Sequence, residues 1–133
     1  MTIVVDTSAL VAVLLGEAGW AQVQRKLETA SRLLISAATM VEAGIVIEAK
    51  LGPAGQQQLD VLMRRLRMDV RPLDEEQAER AISAWRRYGR GRHPARLNLG
   101  DCFSYALAAE LGLPLLFVGE DFAQTDVESA LEA

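Results

Sequence analysis

A chain of 133 residues has room for one hydrophobic core and not for two. Half of its residues are hydrophobic, which excludes a mainly disordered chain. Fourteen Lys and Arg against 18 Asp and Glu give a net charge of −4, which excludes a uniformly basic nucleic-acid coat but not a local basic patch. Residues 3–5 form a short β-branched run that ends at Asp6. Residues 8–15 are apolar nearly throughout and rich in Ala and Leu, which predicts a helix stopped by Gly16. Trp20, Val23 and Leu27 recur at helical spacing, and residues 33–35 read as a second strand. A helix is expected over 37–51, closed by Gly52-Pro53, where Pro53 opens the next helix at its first position. Leu59, Leu62, Met63 and Leu66 give that helix an apolar stripe, and residues 68–70 form a weak third strand.

Asp74, with Gln77 three residues later, predicts a capping box at the start of a helix that carries Ala78, Ala81, Ile82 and Trp85 on one face. The stretch 89–94 reads as a loop, and 102–111 as a helix ended by Gly112 with Pro114 beyond. Residues 115–118 are all apolar, as expected of a strand covered on both faces. Strands alternating with helices imply a parallel sheet with right-handed crossovers. The expected architecture is a single α/β domain over 1–133, a three-layer α/β/α sandwich with four or five parallel strands.

The single cysteine, Cys102, cannot form an internal disulfide, which fits a reducing, cytoplasmic compartment. The N-terminus has no Lys or Arg ahead of its apolar run and carries Asp6 within it, so it reads poorly as a signal peptide. No stretch approaches ~18 uncharged apolar residues, so no membrane span is expected. There is no P-loop, no completed G-x-G-x-x-G and no G-x-S-x-G elbow. His93 is the only histidine, so two-histidine acid–base chemistry and a Cys/His zinc site are both out. Any chemistry falls to carboxylates, hydroxyls, arginines or a metal that they hold.

Four acids stand out by position. Asp6 directly follows the first strand, at the edge where ligands of open α/β sheets bind, although it also suits the cap of the next helix. Glu42 lies in a stretch that is apolar on nearly every helical face, where a buried carboxylate needs a metal or an arginine partner. Asp101, in Asn98-Leu99-Gly100-Asp101, fits by itself a capping box with Asn98 as N-cap, and becomes a site candidate only together with the other acids. Asp121 follows the fourth strand, with Glu120 and Asp126 as weaker neighbours. If strands one and four lie side by side, these acids gather at one rim. A divalent cation then removes their repulsion, and oxygen ligands favour Mg²⁺ or Mn²⁺. Such a site suits phosphodiester hydrolysis. Arg86, Arg87, Arg90, Arg92 and Arg96 run into the Asn98–Asp101 segment and are expected to hold phosphates.

At these residues the chain resembles the PIN-domain ribonucleases, and specifically the VapC toxins of bacterial toxin–antitoxin pairs. The matching pieces are Val4-Val5-Asp6-Thr7-Ser8-Ala9-Leu10, Val41-Glu42-Ala43, Leu97-Asn98-Leu99-Gly100-Asp101-Cys102 and Phe117-Val118-Gly119-Glu120-Asp121-Phe122, with Thr125-Asp126 beyond. The resemblance implies that Asp6, Glu42, Asp101 and Asp121 surround Mg²⁺ or Mn²⁺. Asp6 and Asp101 would be the direct ligands, and Glu42 and Asp121 would act through water or a second ion. Ser8 would orient the first aspartate, and Asn98 would support Asp101. RNA would be the substrate, a small co-encoded VapB-like antitoxin the inhibitor, and a homodimer the assembly. A different class of function on the same fold is a non-catalytic RNA- or protein-binding module. An aspartate-nucleophile phosphatase is disfavoured because Ser8 stands where its second acid belongs. A receiver domain is disfavoured because Asp69 falls too early in strand three.

Overall fold

The computed structural model describes residues 1–132. Ten elements follow in chain order: β1 (Thr2–Val5), α1 (Thr7–Leu15), α2 (Trp20–Thr29), β2 (Arg32–Ser36), α3 (Ala37–Leu51), α4 (Pro53–Arg65), β3 (Asp69–Arg71), α5 (Glu75–Tyr88), α6 (Leu99–Leu111) and β4 (Leu115–Leu116). The four strands form one sheet in the order β3-β2-β1-β4, and every pairing is parallel. Strand period sorts the side chains into two cores. Ile3, Val5, Leu33, Ile35 and Leu116 join α1 to α4 on one face, while Val4, Leu34 and Leu115 join α5 and α6 on the other. These are the three layers that the alternation of elements predicts.

Sequence signals fix most helix ends. Gly16 and Gly112 close α1 and α6 in the left-handed conformation, and Pro53 opens α4. Asp74 caps α5 by accepting from the Gln77 N–H, but the expected capping box is only half made. The Gln77 amide reaches across to α6 instead, donating to the Ala106 carbonyl at 3.3 Å and to Glu110. β3 starts one residue later than expected because the Met68 N–H still bonds back to Met63 at the end of α4. Helix α6 begins three residues earlier than expected, directly after its Asn98 cap.

β4 is shorter than the expected 115–118. Its partner β1 turns into α1 at Asp6, so Phe117 and Val118 have no strand to pair with. The Val118 N–H is satisfied by the Ser8 hydroxyl instead. On the outer side of β4, the Leu115 N–H donates to the Glu128 carbonyl and the Leu115 carbonyl accepts from Ala130, so the tail covers that sheet edge. The strand order reverses direction between β1 and β4, and this switch point opens a crevice beyond their carboxyl ends. Among the described residues no helix is long and apolar enough to cross a membrane.

Ile35 is fully buried under α1 to α4. Ile35→Ala is expected to cost about 2–5 kcal/mol in urea denaturation. A loss below about 1 kcal/mol would contradict this packing.

Candidate active site

Asp6 occupies the switch point as the N-cap of α1. Its Oδ2 accepts from the Ser8 N–H at 3.0 Å and from the Ser8 hydroxyl at 2.7 Å. Its Oδ1 accepts from Ser104 Oγ, 2.5 Å away on α6. Ser8 thus orients Asp6 as expected, and its oxygen also holds β4's exit through the Val118 N–H. Asp6 is buried, and burial pushes its carboxyl above the usual range against the pull of these hydrogen bonds. Asp6 is therefore a helix cap that also lies at the carboxyl end of β1 beside β4.

Asp101 stands at the third position of α6. A complete capping box forms there: the Asn98 side chain accepts from the Asp101 N–H at 2.9 Å, and Asp101 Oδ2 accepts from the Asn98 N–H at 3.0 Å. Burial raises the Asp101 carboxyl first, the Asn98 N–H opposes it, and the carboxylates of Asp6 and Asp121 raise it further, to about 7. Asp121, exposed in the turn after β4, is thus brought beside Asp101.

Glu42 joins from the second turn of α3, but not as expected. The helix is not buried all round, since Val41 and Ile45 are 61% and 66% exposed. Glu42 itself is half-buried and, among the described residues, has no arginine partner. The Thr7 hydroxyl donates to its Oε1 at 2.5 Å. Its carboxylate lies on the Cα of Gly100, so closely that any Cβ there would overlap it. Among the described residues, no Lys, Arg or His forms an ion pair with Asp6, Glu42, Asp101 or Asp121.

Residues 3–128 match the PIN domain family. The chain is 46% identical to Ribonuclease VapC30 of Mycobacterium tuberculosis over 124 residues, 93% of this chain and 95% of the relative. It belongs to the VapC family of PIN-domain proteins. The crystal structure of Mycobacterium tuberculosis VapC20, described as a sarcin–ricin loop cleaving toxin, has a TM-score of 0.78 at 17% identity, over 94% of this chain and 95% of that one. A toxin–antitoxin complex from Klebsiella pneumoniae gives 0.70 at 21% identity, over 96% of this chain and 97% of that one. At these identities the two structures bear on the fold of this VapC-family chain and on nothing finer.

The other acids of this PIN domain are placed elsewhere. Asp126 accepts from the Tyr105 hydroxyl and pairs with Arg87 at 3.4 Å. Glu120 lines a separate hollow with Ala18, Gly19 and Gln22. The five arginines are all exposed, and none reaches an acid of the cluster. Arg87 is turned away to Asp126, and Arg92 stacks on the Trp85 ring at 4.7 Å while donating to the Arg86 carbonyl. Arg90 lines an apolar groove between α5 and α6 together with Asn98 and Leu99, next to Asp101 in the chain.

The donor set fits a hard cation. Carboxylates crowd one another without a counter-charge, and all donors are oxygens. Among the described residues no three acidic, thiol or imidazole groups form a ready ligand shell. Sequence reasoning missed Thr7, Thr39, Gly100 and Ser104. Thr7 and Gly100 lie inside the matched motifs, and nothing in the sequence distinguishes Thr39 or Ser104 from ordinary helix residues.

Asp101 holds its proton more tightly in the folded chain than in the unfolded one, where the carboxyl titrates near 3.8. Stability of the metal-free protein is therefore expected to fall as pH rises from about 4 to about 7. In chelator, the wild type should melt lower at pH 8 than at pH 5, and Asp101→Asn should narrow that gap. A gap of the same size in both proteins would contradict the assignment.

Proposed function

We propose that this VapC-family chain is a Mg²⁺-dependent endoribonuclease, the toxin of a toxin–antitoxin pair. The observation that carries the reading is an acid cluster, Asp6, Asp101 and Asp121, crowded at the switch point with no cation of the chain's own to balance it. Support for RNA as the substrate comes from relatives named as ribonucleases at 46% and 43% identity over most of the chain.

Asp6 and Asp101 are the residues to hold the ion, with Mn²⁺ able to replace Mg²⁺. When bound, the ion supplies Lewis-acid activation of water and neutralises charge on the scissile phosphate. Ser8 and Ser104 donate to the two oxygens of Asp6 and aim its carboxylate. Asn98 holds Asp101 Oδ2 through its backbone N–H. Glu42, fixed by Thr7 and exposed on one side, orients the attacking water and takes its proton. Asp121 assists from the opposite loop. Attack in line with the leaving 3′ oxygen leaves a 5′ phosphate and a 3′ hydroxyl. Arg90, Arg92, Arg96 and Arg86 hold the RNA backbone, and Arg87 contributes only if it leaves Asp126.

The partner in this reading is a VapB-like antitoxin, and the working location is the cytoplasm. Apolar side chains flank the acids on both sides: Val41 and Ile45 on α3, and Ile82, Trp85 and Leu99 on α5 and α6. Such exposed patches support burial against other chains, as in a homodimer and its antitoxin complex.

The test is incubation of purified protein with RNA in Mg²⁺ and in chelator. Cleavage with Mg²⁺ and 5′ phosphate ends is expected, and Asp6→Asn or Asp101→Asn should abolish it. Wild-type cleavage by either variant, cleavage in chelator, or a 2′,3′-cyclic product overturns the mechanism. RNA binding without cleavage favours a non-catalytic module. Gly100→Ala should displace the Glu42 carboxylate by ~1 Å or more and lower cleavage about 100-fold. Its melting temperature should stay within a few degrees, because the displaced atoms are the end of a flexible side chain, and unaltered cleavage would exclude Glu42 from the site.

A further inference from the structure

We propose that Ser104 and Thr39 are positioning residues for Asp6: a buried relay of two hydroxyls fixes the direction in which Asp6 presents its carboxylate to the cation. The proposal rests on the cation reading above. Ser104 lies within α6 and Thr39 within the first turn of α3, and both are fully buried. Ser104 Oγ donates to Asp6 Oδ1 at 2.5 Å, across 98 residues of chain. Thr39 Oγ1 lies 3.1 Å from Ser104 Oγ.

The proton count sets the sense of the relay. A serine hydroxyl has one proton, and that of Ser104 goes to Asp6. Thr39 must then donate to Ser104, so both protons point toward the carboxylate. A buried serine inside a helix commonly bonds back to the carbonyl four residues earlier. Ser104 gives its proton to Asp6 on another element instead. Asp6 is consequently held from two sides, at Oδ2 by Ser8 of its own helix and at Oδ1 by α6.

The relay also ties together the helices that carry the acids. Ser104 follows Asp101 by three residues on α6, and Glu42 follows Thr39 by three on α3, so each hydroxyl shares a helix face with an acid. The Thr7 hydroxyl, which holds Glu42, also lies 3.5 Å from the Thr39 carbonyl. Spacing between Asp6 and Asp101 is thus set by one hydrogen bond and one helical turn. Without Ser104, the Asp6 carboxylate can pivot about its Oδ2 bonds.

The test is calorimetric titration of Mn²⁺ into the intact chain, with urea denaturation in chelator run alongside. Ser104→Ala is expected to raise the Mn²⁺ Kd about tenfold or more, the usual cost of removing a group that orients a metal ligand. Thr39→Val keeps the shape and removes only the hydroxyl. It is expected to raise the Kd by a smaller factor, above about threefold, and Thr39→Ser should restore it. A Kd within about twofold of wild type for Ser104→Ala or Thr39→Val overturns the relay, whatever happens to stability. If Ser104→Ala does not fold, Thr39→Val alone decides. A wild type that binds no Mn²⁺ removes the cation reading and the relay together, whereas a binding wild type beside unaltered variants removes the relay alone.

Discussion

The arrangement depends on a repulsion that the chain leaves uncompensated. Asp6 and Asp101 are both buried, Asp121 lies close enough to raise Asp101 further, and among the described residues no basic side chain pairs with any of them. Three acids elsewhere do have an arginine partner, Asp69 with Arg32, Glu76 with Arg80 and Asp126 with Arg87. Leaving buried carboxylates crowded destabilises the fold unless their protons or a cation remove the charge. The fold tolerates the cluster because three of its acids are also given neutral donors: Ser8 and Ser104 for Asp6, Asn98 for Asp101, and Thr7 for Glu42.

These donors make the acids part of the scaffold. Asp6 caps α1 and Asp101 completes the capping box of α6. In the proposed cation site the same two carboxylates would serve twice, accepting from N–H groups at a helix start and facing the crevice beyond β1 and β4. The order β3-β2-β1-β4 then brings the ends of β1 and β4 together, and with them Asp6 and the loop bearing Asp121.

What the sequence makes legible follows the same logic. Asp6, Asp101 and Asp121 are readable because strand ends and caps are local features with local signals, and the neighbouring of β1 and β4 follows from the doubly wound pattern. Glu42 stands out in the sequence as a carboxylate among apolar residues, but its surroundings are not legible there. The apolar run 40–47 looks buried, yet Val41 and Ile45 face solvent, because one side of α3 has no covering element within this chain. Gly100, Ser104 and Thr39 act across elements remote in sequence, so no periodicity marks them. The length of β4 depends on where β1 ends, and the fate of Gln77 on the position of α6. Both are tertiary facts that override a correct local signal.

The most direct measurement is anomalous diffraction at the manganese edge from crystals grown in Mn²⁺. The account predicts a strong peak at the β1–β4 crevice, with oxygens of Asp6 and Asp101 about 2.1 Å from it and water completing the shell. A map with Mn²⁺ bound elsewhere and nothing between those two carboxylates would contradict it.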